Sequence, residues 1–365
     1  YGLNEHLIQE AYEAGIECIV TCDNGISAAE QVQMAKDLGM KVLITDHHEV
    51  PFREDDKGRH EILPPADAIV NPKQDTCTYP FKNICGAVVA FKLILALFER
   101  MNYREINNTV RELLPFVALA TVCDVMELKD ENRIFVKEGL KQISNTANWG
   151  LRALFEVNGI ETTKVNAYHL GFVIGPCLNA TGRLDSALRA LELLQCTNKA
   201  EAMVAATELK ELNDSRKNLT LKGVEEAEQQ IQEKKLYDDK VIVVYLPHVH
   251  ESLAGIIAGR IREKYYHPVF VLTNGEEGIK GSGRSIEAYH MYDSMVRVKE
   301  HFSKFGGHKL AAGLSLCHKN VEAFREAINK DVSLAEADFV PRVHIDVPMP
   351  LSYAGFELAR QIQLL

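Results

Sequence analysis

Residues 42–49 read Val-Leu-Ile-Thr-Asp-His-His-Glu, and the reading of this stretch decides the fold. Four residues, mostly β-branched and suited to a strand, run straight into an acid and two adjacent imidazoles. Polar groups at the mouth of a buried strand cost free energy unless something pairs them. A polar turn that happens to hold histidines is the plain explanation, and a metal site is the sharper one.

Working outward, residues 5–15 have helical patterning and lead into a strand at Glu17–Thr21. A second helix is expected from Ser27 to Leu38, with Ser27 as its N-cap and Gly39 as its stop. Ala68–Val70 is a third short strand. Strand, helix and strand at this spacing make a βαβ unit, hence a parallel sheet with right-handed crossovers. The charged, proline-bearing insertion Phe52–Pro65 is expected to be an exposed loop, and residues 84–100 and 109–123 to be helices. From 200 to 235, Met203, Leu209, Leu212, Leu219, Val224, Ala227 and Ile231 recur at helical steps among many charges. That predicts one helix of about 50 Å linking two domains. A second α/β unit follows, with strands at Lys240–Leu246 and Val269–Thr273, a helix at 252–265, and a glycine- and histidine-rich segment at 281–318.

Two domains also suit the length of 365 residues. Hydrophobic residues at 46% and charged residues at 25% are ordinary for a globular cytoplasmic protein, and no uncharged apolar run approaches membrane-spanning length. The eight scattered cysteines fit buried thiols in a reducing compartment; Cys18 and Cys22 lack the second pair that a zinc knuckle needs. The net charge of −10 argues against a charge-driven nucleic-acid coat but leaves room for a local basic groove. Tyr1 is not a start methionine and Gln361–Leu365 lies inside an amphipathic helical pattern, so the chain is expected to be a fragment.

Thr21-Cys22-Asp23-Asn24-Gly25 closes the first strand as Asp46-His47-His48 closes the second. In a parallel sheet both sit at the carboxyl edge, where open α/β sheets bind ligands. Carboxylate and imidazole together suit Mn²⁺, Mg²⁺ or Zn²⁺, and a bridging aspartate between histidines would build a two-metal site. A third acid, Asp124 in Ala-Thr-Val-Cys-Asp-Val-Met, is either a further ligand or a helix cap.

Asp23 in CDNGIS, the Asp46-His47-His48 triplet, Asp124 in ATVCDVMEL and GPCLNATGRL at 175–184 resemble the successive motifs of the DHH phosphoesterase superfamily. Within it the likeness is greatest to the bacterial single-strand-specific 5′→3′ exonucleases. HESLAGIIAGRIRE (250–263), GSGRS (281–285) and FGGHKLAAG (305–313) resemble the associated domain of that group. The resemblance implies a parallel-sheet catalytic domain over 1–199, truncated at its N-terminus. A connector helix over 200–236 and a smaller α/β nucleic-acid-binding domain over 237–335 would follow, with the start of a truncated OB domain at 340–365. It implies two Mn²⁺ or Mg²⁺ ions held by Asp23, His47, His48 and Asp124. It implies catalytic parts for His48, Asp46 and His308, with Asp46 orienting a histidine. Asn179, Arg183, Gly281, Ser282, Arg284, Ser285, Gly306, Gly307 and His308 are implied to contact substrate. It further implies single-stranded DNA as substrate, a role in repair and recombination, a monomer, and a repair helicase or single-strand-binding protein as partner. The sequence departs from the family in two respects. The first motif, an Asp-x-Asp loop, has no counterpart in these residues, and Cys177 stands where many relatives carry arginine.

Between 250 and 315 there are nine Lys/Arg against seven Asp/Glu, a slight positive excess in an acidic chain. Tyr289, Tyr292 and Phe305 interleave with those cations and either stack on bases or fill the core. Two other functions fit the motifs: a phosphoesterase for oligonucleotides or cyclic dinucleotides, and a catalytically silent DNA-binding fragment.

Overall fold

The computed structural model describes residues 2–56, 58–184, 186–275, 278–330 and 332–364; of these, the side chains of 183, 184, 363 and 364 are not described. The described chain falls into two compact units that divide at Ser215 and Arg216.

The first unit holds a parallel sheet in the order β1 (Cys18–Cys22), β2 (Lys41–Thr45), β5 (Ala68–Val70). Val42 and Ile44 of the central strand are fully buried against Ile8 of the helix Glu5–Glu13 and Val32 and Ala35 of the helix Ala29–Asp37. Strand β2 therefore runs in at the level of the core and ends where Thr45 and Asp46 are still buried. Two expectations are corrected here. Ser27 is not the N-cap: Ala28 holds that position without a side-chain hydrogen bond, because residues 25–28 first make a turn, with Ala28 N donating to Gly25 O. The insertion after β2 is not a plain loop but an exposed antiparallel hairpin, β3 (Phe52–Asp55) with β4 (Gly58–Glu61), where Arg59 lies over the Phe52 ring.

The rest of this unit is helical. Gly86–Arg100, Ile106–Cys123, Asp130–Ile143 and Trp149–Val157 lead to Gly175–Leu184 and into the 35-residue helix Lys199–Glu233, whose residues up to Ser215 belong to this unit. Leu154, Phe155, Ile174, Leu193 and Ala206 make its second core.

In the second unit a mixed sheet runs β6 (Ile242–Tyr245), β7 (Val269–Gly275), β8 (Gly278–Arg284), β10 (Ala311–Leu316), β9 (Phe302–Gly307). Only the β6–β7 pair is parallel. Alternate residues of β6 and β7 feed two cores. Val244 and Val271 pack on Ile257 of the helix Glu251–Tyr265, while Val243 and Phe270 join Leu314 and Phe324 on the other face. Strands buried on both faces read as continuous apolar runs, which is how Val241–Tyr245 and Val269–Leu272 appear. The expected start of an OB domain is not found. The described residues from 340 to 364 hold a short turn at Leu351–Tyr353 and the helix Phe356–Leu364, without a strand.

Candidate metal centre

The carboxyl ends of β1 and β2 are tied together before any ionisable group appears. Thr45 Oγ donates to Thr21 O at 2.6 Å, Asp23 N to Thr45 O at 3.0 Å, and Asp46 N to Val70 O at 3.1 Å. Asp46 is almost wholly buried and accepts at every turn. Its Oδ2 takes Ile26 N at 3.0 Å; its Oδ1 takes His47 N at 2.8 Å, His48 N at 3.2 Å and His48 Nδ1 at 2.7 Å. Burial works to raise its pKa, but the hydrogen bonds outweigh burial and hold the carboxyl below its ordinary range. Asp46 is thus an ionised post around which the turn folds.

His47 faces the opposite way. Its Nε2 lies 3.0 Å from Asp23 Oδ1 and 3.4 Å from Asp124 Oδ2. The atom is buried and has no aligned hydrogen-bond partner, so both carboxylates are near it but neither satisfies it. Contact with Asp23 is the main reason the imidazole pKa is raised; burial opposes it and the charge of Asp124 adds to it. Asp124 caps the helix Ile106–Cys123, its N–H donating to Ala120 O, and its carboxyl is pushed up by burial, with Asp23 raising it and His47 opposing. One donor atom each from Asp23, His47 and His48 can be drawn from a set lying within 4.8 Å of one another. An orphaned imidazole nitrogen between hard carboxylates suits a divalent ion with mixed oxygen and nitrogen ligands. The donor set therefore fits such an ion.

Several residues that position this corner carry no signal in the motif pattern. Asp23 adopts φ +66°, a left-handed conformation that a non-glycine residue holds only under constraint. Gly86, first residue of the helix Gly86–Arg100, leaves the room it needs: a Cβ there would lie 2.6 Å from Asp23 Cβ and 2.7 Å from Asp23 Cα. Asn71, buried just beyond β5, donates from its amide to His48 O at 3.0 Å and accepts Lys73 N at 2.8 Å, closing the histidine turn from below. A lone asparagine before proline in Val-Asn-Pro was the only sequence cue to that role.

Cys177 is fully buried in the second core and accepts from Asn213 Nδ2 at 3.5 Å, so the position at which the resemblance leads one to expect arginine faces packing here. Asn179 lies exposed on the same helix, whereas the side chain of Arg183 lies outside the described residues. The other expected substrate residues belong to the second unit. Ser282 and Arg284 share one face of β8, with Arg284 Nη1 donating to Ser282 Oγ at 3.3 Å and Gly283 O at 2.8 Å. Gly281 and Gly283 face the opposite way. A Cβ at 281 would meet Leu272 and Leu314, and one at 283 would meet Phe270 and Met291. Ser285 is buried and donates its hydroxyl to Tyr289 O at 2.8 Å and Ile286 O at 3.2 Å. Gly306 and Gly307 end β9 and His308 opens the exposed turn to β10, where His308 N donates to Ala311 O. Of the interleaved aromatics, Tyr289 is core, while Tyr292 and Phe305 lie 6.0 Å apart near the surface.

Comparison with known proteins adds independent findings. Residues 3–121 match the DHH family, N-terminal domain, and residues 238–334 the DHHA1 domain. The chain is 37% identical over 351 residues to the single-stranded-DNA-specific exonuclease RecJ of Bacillus subtilis, covering 95% of this chain and 42% of that protein. It is 38% identical to the RecJ of Escherichia coli, covering 100% of this chain and 64% of that one. The chain thus spans less than two thirds of these relatives. Among solved structures, exonuclease RecJ bound to manganese superposes with a TM-score of 0.75 at 31% identity, over 90% of this chain and 78% of that one.

Proposed function

The chain belongs to the RecJ group of the DHH family, and we propose that it hydrolyses phosphodiester bonds of single-stranded DNA from the 5′ end, in repair and recombination. Asp23, His47, His48 and Asp124 would hold two divalent ions, Mn²⁺ or Mg²⁺, as the manganese- and magnesium-bound RecJ structures suggest. Bound ions of this kind supply Lewis acidity toward water and phosphate oxygens. The observation that carries the proposal is His47 Nε2, buried, unsatisfied and set between two carboxylates.

The chain's own residues then divide the work. Asp46 locks the His48 ring by its Nδ1, leaving the other ring nitrogen toward the half-exposed side. Asp124 sets the far side of the corner from a rigid helix end. Phosphates of the strand are assigned to Asn179 and Arg183 in the first unit and, in the second, to Ser282, Arg284 and the segment Gly306–His308, where a guanidinium and an open approach at Gly306 suit them. We assign catalysis to residues 1–199, connection to 200–236 and strand binding to 237–335, in a monomer that cooperates with a helicase or single-strand-binding protein.

The test is Mn²⁺-dependent release of nucleotides from a single strand labelled at either end, beside an Asp124→Ala control. Release from the 5′ end that the substitution abolishes is expected. Equal digestion of blunt duplex, or faster turnover of di- and trinucleotides than of long strands, overturns the proposal.

A further inference from the structure

The helical run Ala167–Leu184 carries a feature that the metal corner does not use. Tyr168 and Phe172 are 63% and 70% exposed, while Leu170 and Ile174 beside them are buried at 1% and 0%. The two rings stack on each other, with centroids 5.1 Å apart and planes at 26°. Large aromatics left in water side by side, with their π-faces aligned, are costly as packing and useful as a surface.

Two local devices hold them out. Asn166 Oδ1 accepts His169 N, and His169 Nδ1 accepts Asn166 N, both at 3.2 Å, fixing the start of the run. His169 then meets Tyr168 edge-on at 6.1 Å. Next, residues Leu170–Ile174 form a π-turn, with Gly175 N donating to Leu170 O; such turns are rare and concentrate at functional sites. The turn is clamped to the helix that ends at Asp124. Cys123 Sγ reaches Leu170 O at 3.6 Å, and Gly175 is glycine because a Cβ there would overlap the Cys123 sulfur. The aromatic pair is thus positioned through Cys123, the residue immediately before Asp124. From Ala167 to Gly182 the exposed residues are Tyr168, Phe172, Asn179 and Gly182, so the rings share a stripe with an expected substrate contact.

We propose that Tyr168 and Phe172 form a stacking platform for the nucleobases of a single strand, carried on the helical run that is clamped to the helix ending at Asp124. This rests on the phosphodiesterase function proposed above. A protein partner fits less well: a specific protein interface takes roughly 800 Å² from each side, and this patch is two rings between Asn166, His169 and Asn179. Base stacking needs only the rings and tolerates any sequence, as an enzyme that works along a strand requires.

The experiment compares the wild-type chain, the Tyr168→Ala/Phe172→Ala double variant and Phe172→Trp. Binding of labelled oligo-dT and of an abasic strand of equal length is followed by anisotropy, with Ca²⁺ in place of Mn²⁺. Hydrolysis of bis(p-nitrophenyl) phosphate with Mn²⁺ is measured alongside. The double variant should lose about tenfold or more in affinity for oligo-dT. It should bind the abasic strand as the wild type does and hydrolyse the small ester at an unchanged rate. Phe172→Trp should keep affinity and show indole quenching on oligo-dT. Unchanged oligo-dT affinity in the double variant, or equal loss on the abasic strand, overturns the platform while leaving the phosphodiesterase function intact. A wild type that cleaves the small ester but binds no oligo-dT removes the single-strand substrate, and the platform with it.

Discussion

The turn Asp46-His47-His48 and the stretch Gly281-Ser282-Gly283-Arg284-Ser285 look alike in sequence: each is short, lacks large apolar residues and comes after an apolar strand in its own α/β unit. In space they are opposites. The first leaves its strand and curls around one buried carboxylate, so that Asp46 points inward and His47 and His48 are aimed by it. The second stays in a central strand up to Arg284, paired on both sides to β7 and β10. Pleating sends Gly281 and Gly283 into the core and Ser282 and Arg284 to the other face. A polar motif yields a convergent site where the strand ends, and a divided one where the strand continues.

The largest effect that would break this contrast lies at His47. On the proposed function, His47→Ala removes the imidazole set between two carboxylates, and is expected to lower Mn²⁺-dependent phosphodiesterase activity by roughly a thousandfold while the fold survives, as circular dichroism would check. An active His47→Ala protein would mean that the corner is a polar turn. Asp46→Asn should cost less, about 10- to 100-fold in Mn²⁺ affinity by titration calorimetry, because it loosens an orienting partner and removes no ligand. Should Asp46→Asn match His47→Ala, Asp46 is itself a ligand.

The corner should also respond to pH in a definite direction. The His47 pKa is raised by Asp23 and Asp124, so its proton competes with a metal ion at pH values above the ordinary histidine range. Mn²⁺ affinity is therefore expected to climb by about tenfold per pH unit below that elevated pKa, for the one proton displaced, and to level off above it. Without metal the sign reverses. The His47–carboxylate pairing stabilises the folded chain fully below the unfolded histidine value of about 6.5, and is lost as pH rises through the folded value. Thermal melts with and without Mn²⁺ across pH 5.5–8.5 should diverge accordingly; parallel curves would remove His47 from the ligand set.

Much of this was legible because it rests on short-range rules. The β1–β2–β5 sheet follows from apolar runs at βαβ spacing, and two sheet ends brought together Asp23 and the histidines. Asp124 was ambiguous between cap and ligand, and its position is a helix cap that also faces His47. What stayed hidden depends on contacts distant in sequence. Gly86 matters only because Asp23, 63 positions earlier, comes to rest against it, and Asn71 only because His48 O hangs above its amide. The hairpin at 52–61 escaped notice because its strands are polar apart from Phe52 and bury no face. Serine, arginine and glycine in GSGRS were read together as a phosphate cradle, whereas β8 sorts them by alternation.

Ser285 offers the smallest and most discriminating test of that sorting. Its hydroxyl is buried and donates to Tyr289 O and Ile286 O, closing the turn after β8 beneath Tyr289. Removing it leaves the Tyr289 carbonyl short of a donor, so Ser285→Ala should destabilise the chain by about 1 kcal/mol in urea unfolding. Single-strand affinity should stay unchanged, because the hydroxyl faces the protein and not solvent. Ser282→Ala should do the reverse: little change in unfolding and a measurable loss of strand affinity, since Ser282 lies on the face it shares with Arg284. If Ser285→Ala weakens strand binding at full stability, the turn opens to receive phosphate, and the contrast between a convergent site and a divided one fails at the residue where the strand gives way to the turn.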